Sequence, residues 1–103
     1  MKKHEVQQLL NTLIPKKFEH LDLDEAGKLA DEDVYLTFRT TNGWTYFILA
    51  YDRDELMFGY VEGYSGEYGI IPIGLLSQKE WIDTSPDIMP LKYKAAMYGI
   101  SVV

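Results

Sequence analysis

The chain of 103 residues contains no cysteine and only two histidines. Without cysteine, neither a disulfide framework nor a thiolate metal site can form. The histidines, His4 and His20, are far apart and lack the H-x-x-x-H or H-E-x-x-H spacing of a helical zinc site. We therefore expect no metal and no cofactor.

The sequence also lacks an apolar run of the ~20 residues that a membrane helix needs, and no signal-peptide h-region follows residues 1–3. Basic residues are scarce, with 10 Lys and Arg against 16 Asp and Glu and a net charge of −6. Nucleic acids and anionic membranes both require cationic side chains, so we expect direct binding to neither. The composition favours a cytoplasmic protein, as a monomer or a homodimer.

What is present is typical of one globular domain over residues 1–103. Hydrophobic residues make up 47% of the chain and charged residues 25%. Apolar residues recur at helical spacing in the N-terminal segment and predict a helix over residues 3–14: Val6, Leu9, Leu10, Leu13 and Ile14. Pro15 ends this helix, and an acidic connector covers residues 16–32.

From residue 33 the apolar period changes to two, which indicates strands. Asn42-Gly43 predicts a hairpin turn of type I′, and further strands follow as far as residue 73. The prediction is an α+β fold. A four-stranded antiparallel β-meander over residues 33–73 packs against the N-terminal helix, and short helical segments follow over residues 74–98.

The second predicted strand, residues 44–51, is apolar on both sides. One side can pack on the N-terminal helix. The other side either meets the C-terminal segments, which we favour, or remains open as a Tyr-rich surface.

Four glycines occur in the segment MFGYVEGYSGEYGIIP, residues 57–72: Gly59, Gly63, Gly66 and Gly69. Their spacing differs from both the G-x-G-x-x-G and the P-loop patterns, and no lysine follows. We interpret them as structural. Gly59 and Gly63 would let a neighbouring aromatic ring lie flat on one strand face, Gly66 would serve a turn, and Gly69 a bulge or bend.

The negative charge is concentrated in two segments. Residues 19–33 carry seven acids against Lys28, and residues 52–67 carry five against Arg53. The residues that we predict to bind a partner come mainly from these segments: Asp22, Asp24, Glu25, Asp31, Glu32, Asp33, Asp52, Asp54, Glu55, Glu62, Tyr64 and Glu67.

Two other readings of the acids have less support. Asp22, Asp24, Gly27 and Asp33 partly follow a calcium loop, but the bidentate Glu at its last position is missing, so a solvated loop is favoured. Most carboxylates cluster in turns, where water keeps them ionised. Glu62 and Glu67, which have tyrosine neighbours, are the acids that a small hydrolase would use. That alternative stays open.

The segments VYLTF (34–38), WTYF (44–47) and FGYVEGYSGEYG (58–69) resemble a family of short uncharacterised proteins encoded on bacterial plasmids, integrative elements and phages. The family pattern is V-Y-x-x-F, W-T-x-[YF] and F-G-x-V-x-G-x-x-x-E-x-G, followed by a leucine-containing helix. The likeness covers about residues 6–80. The chain departs from the pattern at Tyr46, where many members have a second Trp.

The resemblance implies no catalytic residue, but its mobile-element setting bears on function. Small acidic proteins of such elements are often inhibitors of host defence. The leading hypothesis is therefore a non-enzymatic inhibitor in the bacterial cytoplasm, an anti-CRISPR whose acidic loops block the guide-RNA or DNA groove of a host nuclease such as Cas9. The alternative from another class is a protein–protein adaptor that uses a Tyr-rich sheet face, with Tyr60 or Tyr64 as its contact.

Overall fold

The computed structural model describes residues 2–23, 25–84 and 87–103, with the backbone alone for Ala26. The elements in chain order are α1 (Lys3–Leu13), a 3₁₀ turn (Phe18–His20), α2 (Ala26–Leu29), β1 (Asp33–Val34), β2 (Leu36–Thr40), β3 (Thr45–Tyr51), β4 (Leu56–Glu62), β5 (Gly66–Pro72), a 3₁₀ helix (Ile73–Gln78), β6 (Lys79–Asp83), β7 (Met89–Pro90) and α3 (Leu91–Ala96). The predicted α+β class with an antiparallel sheet and an N-terminal helix is confirmed. Within these described ranges, none of the helices has the length and apolarity that a bilayer crossing requires.

The main sheet has five antiparallel strands in the order β5-β4-β3-β2-β6, and β1 pairs with β7 in a separate two-stranded sheet. Strands β2 to β5 form a meander, but the predicted number of four strands is wrong because β6 pairs with the outer edge of β2. Within the predicted helical segments of residues 74–98, Leu75, Leu76 and Trp81 indicate a short helix. The helix instead ends at Gln78, because the residues after it pair with the open edge of β2, a tertiary effect that the local pattern does not contain.

Both faces of the main sheet are buried by other parts of the chain. On one face, called here the helix face, Val6, Leu10 and Ile14 pack against Phe38 and Ile48 among others. Val6 and Leu10 belong to α1, and Ile14 caps its C-terminal end. The predicted apolar stripe therefore forms the core on this side.

The other face of the sheet, called the terminal face, is covered by the connector and by C-terminal segments. Leu29, Leu91 and Ala95 pack there against Phe47 and other residues of β3 and β4. The preference for coverage by the C-terminal part of the chain is confirmed. This explains why all seven residues of β3 are buried, with apolar side chains on both sides.

The turn between β2 and β3 differs from its prediction. Gly43 has a φ of +90°, whereas Asn42 does not have the positive φ that a type I′ turn needs. The Gly43 N–H donates to the Thr40 carbonyl oxygen (2.9 Å), and the Thr40 N–H donates to that of Trp44 (3.0 Å). These bonds enclose a three-residue loop that ends on a left-handed glycine. The loop therefore comprises residues 41–43, and Trp44 directly precedes β3.

Candidate functional site

The predicted partner-binding acids of the connector are largely paired with lysines of the same chain. The pairs are Asp31–Lys92 (2.6 Å), Glu32–Lys16 (3.2 Å), Asp22–Lys28 (3.7 Å) and Glu25–Lys28 (3.0 Å). Asp33 has no ion pair with any described residue, and Asp24 lies outside the described residues. These lysines neutralise part of the charge that a basic partner would meet.

The acids in the turn between β3 and β4 hold that turn against α1. The Asp52 carboxylate accepts hydrogen bonds from two backbone N–H groups that follow it, at 2.8 and 3.0 Å. Glu55 forms an ion pair with Lys3. The Asp54 carbonyl oxygen accepts a hydrogen bond from the side chain of Gln7 at 2.9 Å. Asp52 thus has a structural role, and Glu55 is paired within the chain.

Glu62 and Glu67 are close in sequence but lie on opposite faces of the sheet. Glu67 is opposite Val61 in the β4–β5 ladder, and Glu62 is opposite Gly66, one position further along β4. Successive strand positions point to opposite faces. The two carboxylates therefore do not converge. In the part of the chain that the structure describes, no three His, Asp or Glu side chains form a group that could hold a metal ion.

On the helix face beyond α1, the Trp44 indole lies flat on the backbone of Gly63. A Cβ added to Gly63 would be 2.7 Å from two ring atoms of Trp44. The prediction that an aromatic ring lies against Gly59 and Gly63 is confirmed for Gly63 and wrong for Gly59, where an added Cβ would instead meet the backbone of Phe47. On the terminal face, the hydroxyl end of Tyr60 occupies the space beside Gly66, where an added Cβ would lie 1.6 Å from the hydroxyl oxygen. Gly66 is the first residue of β5 and not a turn residue.

Tyr64, at the tip of the β4–β5 hairpin, has 99% of its side chain exposed. Its ring meets that of Trp44 edge-on, with the centroids 5.7 Å apart and an interplanar angle of 79°. Tyr60, the other tyrosine expected on an open face, is fully buried. The predicted Tyr-rich surface is therefore wrong for Tyr60, whereas Tyr64 is as accessible as predicted.

Two adjoining cavities open beside this aromatic pair. The first, which we call the aromatic pocket, has a volume of about 90 Å³ and is lined by Trp44, Val61, Gly63, Tyr64, Ser65 and Glu67. The second, called the trough, has a volume of about 240 Å³ and extends past Tyr46 and Gly69 to Leu75. Trp44, Val61 and Glu67 line both cavities, which therefore form one continuous surface.

Gly69 lines the trough. A Cβ added at this position would have no neighbouring atom within 4 Å. Its strand pairs in regular register with β4, so of the bulge or bend predicted at Gly69, the bulge is wrong. The register irregularity lies instead in β3, between Ile48 and Ala50.

Glu67 is the one ionisable carboxylate that lines the aromatic pocket and the trough. It has no ion pair with any residue of the described ranges, unlike Glu55 or Asp31. An unpaired carboxylate beside two aromatic rings can attract a cation, since ring faces and carboxylates both favour positive charge. Tyr64 and Glu67 were among the predicted contact residues. Trp44, Gly69 and Leu75 belong to the same surface but were not predicted to do so.

A second polar cluster lies where α3 meets β6. Lys94 is 4% exposed, and its Nζ lies 2.9 Å from an Asp83 carboxylate oxygen. The Tyr98 hydroxyl donates to the same oxygen at 2.9 Å, and its ring stacks on Trp81 with the centroids 5.5 Å apart. This cluster joins the C-terminal segment to the sheet edge, so we assign it a structural role.

Tyr98 gives the fold a measurable dependence on alkaline pH. Burial, followed by the hydrogen bond to Asp83 and its negative charge, raises the pKa of Tyr98 to about 12. An unfolded tyrosine has a pKa of about 10. The stabilisation is therefore complete below pH 10 and disappears as the pH rises through 12.

We predict that the difference in unfolding free energy between the wild type and Tyr98→Phe is constant up to about pH 9 and decreases above about pH 10. Urea denaturation of both proteins across this range measures that difference, and the other tyrosines cancel in it. A difference that stayed constant to about pH 11.5 would contradict the assignment.

No family model, curated protein or solved structure matches the chain.

Proposed function

We propose that the chain is a non-enzymatic binding protein, which contacts a partner protein through the aromatic pocket and the trough. The observation that carries this proposal is the Tyr64 ring, 99% exposed beside Trp44 at the tip of the β4–β5 hairpin. Tyr and Trp dominate the binding energy of protein interfaces, because they bury a large area at a low cost in conformational entropy. The exposed aromatic pair thus supports an adaptor, which contacts its partner through aromatic side chains.

The acids contribute mainly to the encounter with the partner. Four of the predicted contact acids in the connector are paired within the chain, so a basic partner would have to compete with the lysines that pair with them. The net charge of −6 still attracts a basic surface over a long range. We infer that this charge accelerates association, whereas the aromatic pocket supplies the affinity.

The biological setting that we propose is inhibition of a host nuclease by a protein of a mobile element, in the bacterial cytoplasm. Support for it comes from the sequence segments that resemble mobile-element proteins and from the acidic charge. A nuclease with a basic groove, such as Cas9 before guide loading, combines a positive field with surface side chains that could enter the pocket. Blocking the groove would require only that the chain cover its entrance.

Replacing Tyr64 by alanine is predicted to weaken partner binding about thirtyfold, the effect of losing about 2 kcal/mol at an aromatic hot spot. The unfolding free energy of the Tyr64→Ala variant should equal that of the wild type, because the Tyr64 side chain is exposed. The measurement is capture of host proteins from lysate at two salt concentrations, followed by calorimetry on the protein identified. Tyr93→Ala is the matched control, since Tyr93 is another exposed tyrosine, on α3.

Replacing Asp31, Glu32 and Asp33 together by Asn, Gln and Asn separates the two modes of contact. The proposal predicts slower association at low salt and little change in the dissociation rate. Abolished binding in this triple variant, with Tyr64→Ala unaffected, would refute the aromatic contact and favour mimicry of nucleic acid by the acidic loops.

A further inference from the structure

We propose that the aromatic pocket is a receptor for one arginine side chain of the partner protein. The inference rests on the proposed function, since it names the group that a protein partner would insert. It starts from three neighbouring features: the Trp44 indole held flat on Gly63, the Tyr64 ring at 79° to it, and the Glu67 carboxylate.

The size of the pocket limits what can enter it. Its volume is about 90 Å³. A guanidinium group, with four heavy atoms in one plane, is of this size.

The charge and chemistry of the walls favour a cation. Tryptophan is the strongest aromatic partner of cations, and Trp44 and Tyr64 line the same cavity. The chain places its own cations on other rings, with Arg53 over Tyr51 at 6.0 Å and Lys92 over Tyr93 at 5.3 Å. Neither the Trp44 nor the Tyr64 ring has such a cation within the described ranges.

Arginine fits these walls better than lysine does. The guanidinium is planar and more weakly hydrated than an ammonium, so it can stack on the Trp44 ring while it donates two hydrogen bonds to the Glu67 carboxylate. Glu67 is the group that is free to accept them, because no described residue forms an ion pair with it.

Arginine binding by the aromatic pocket can be tested without the natural partner. N-acetyl-arginine methylamide is titrated into ¹⁵N-labelled protein, and the shift of the Trp44 indole N–H resonance is followed. We expect a saturable shift with a Kd on the order of 10 mM, as for a single cation–π contact with a carboxylate. The lysine analogue should bind more weakly, and the citrulline analogue, which has the same shape without charge, should not shift the resonance.

Glu67→Gln should weaken arginine binding about tenfold, and Glu62→Gln is its control, since the same change is then made on the opposite face of the sheet. An unshifted Trp44 resonance, an equal response to citrulline, or equal effects of the two Gln variants would each overturn the proposal.

If Tyr64→Ala abolishes partner capture and arginine still fails to shift Trp44, the arginine receptor is refuted while the binding function stands. If arginine binds as predicted and Tyr64→Ala leaves partner capture intact, the proposed function fails instead.

Discussion

Replacing Gly59 by alanine is expected to destabilise the protein by at least about 3 kcal/mol, and the variant should be largely unfolded at moderate urea concentrations. A Cβ at position 59 would lie 2.0 Å from the carbonyl oxygen of Phe47 and 3.1 Å from the Ile48 Cα. Both atoms belong to the backbone of β3, in the centre of the sheet, so no side-chain rotation relieves the clash. The β3–β4 ladder would have to open.

Gly69→Ala is the matched control for this prediction. Gly69 is opposite Gly59 in the β4–β5 ladder, but an alanine there would meet no atom within 4 Å. We expect the unfolding free energy of Gly69→Ala to lie between that of the wild type and about 0.5 kcal/mol above it, because alanine restricts the unfolded chain. Urea denaturation of both variants makes the comparison. Equal effects at the two positions would show that the β3–β4 contact is not as close as described.

Replacing Lys94 by methionine is the second change with a large expected effect, a loss of about 2 kcal/mol of stability. Lys94 is buried against Asp83, and methionine retains the volume of the stem while it removes the ammonium group. Breaking a buried ion pair removes the countercharge of the group that remains, which costs about 3–5 kcal/mol when burial is complete. Here the Asp83 side chain is 27% exposed, so water offsets part of that cost.

Lys92→Met tests whether burial or proximity determines this effect. Lys92 lies two residues earlier on α3, and its distance to Asp31, 2.6 Å, is shorter than that of the Lys94 pair. Both side chains of the Lys92 pair are nevertheless exposed, and exposed ion pairs contribute little. We expect no resolved change in thermal or urea denaturation for Lys92→Met. A loss as large as that of Lys94→Met would contradict the role of burial.

The N-terminal helix and the meander could be predicted because their apolar periods are local and uninterrupted. Val6 and Leu10 follow a helical period, and the strands follow a period of two. β6 could not be predicted in this way, since its strand conformation depends on the edge of β2, some 40 positions earlier in the sequence. For the same reason the ion pairs of Asp31 and Glu32 with distant lysines were not visible in the charge pattern.

The candidate site was predictable in part. The glycine and tyrosine composition of residues 58–69 selected Tyr64, Glu67 and a glycine on which a ring could rest. The identity of that ring, Trp44, depends on the register of β3 against β4, which places Thr45 opposite Glu62. A shift of one residue in this register would have moved every side chain of β3 to the other face.

Hydrogen exchange of the chain in complex with its captured partner tests the central claim most directly, since it maps the contact residue by residue. The account predicts added protection at Trp44 and over residues 61–69, with little change over residues 19–33. Protection confined to residues 19–33 and to the turn between β3 and β4, with residues 61–69 unchanged, would contradict it.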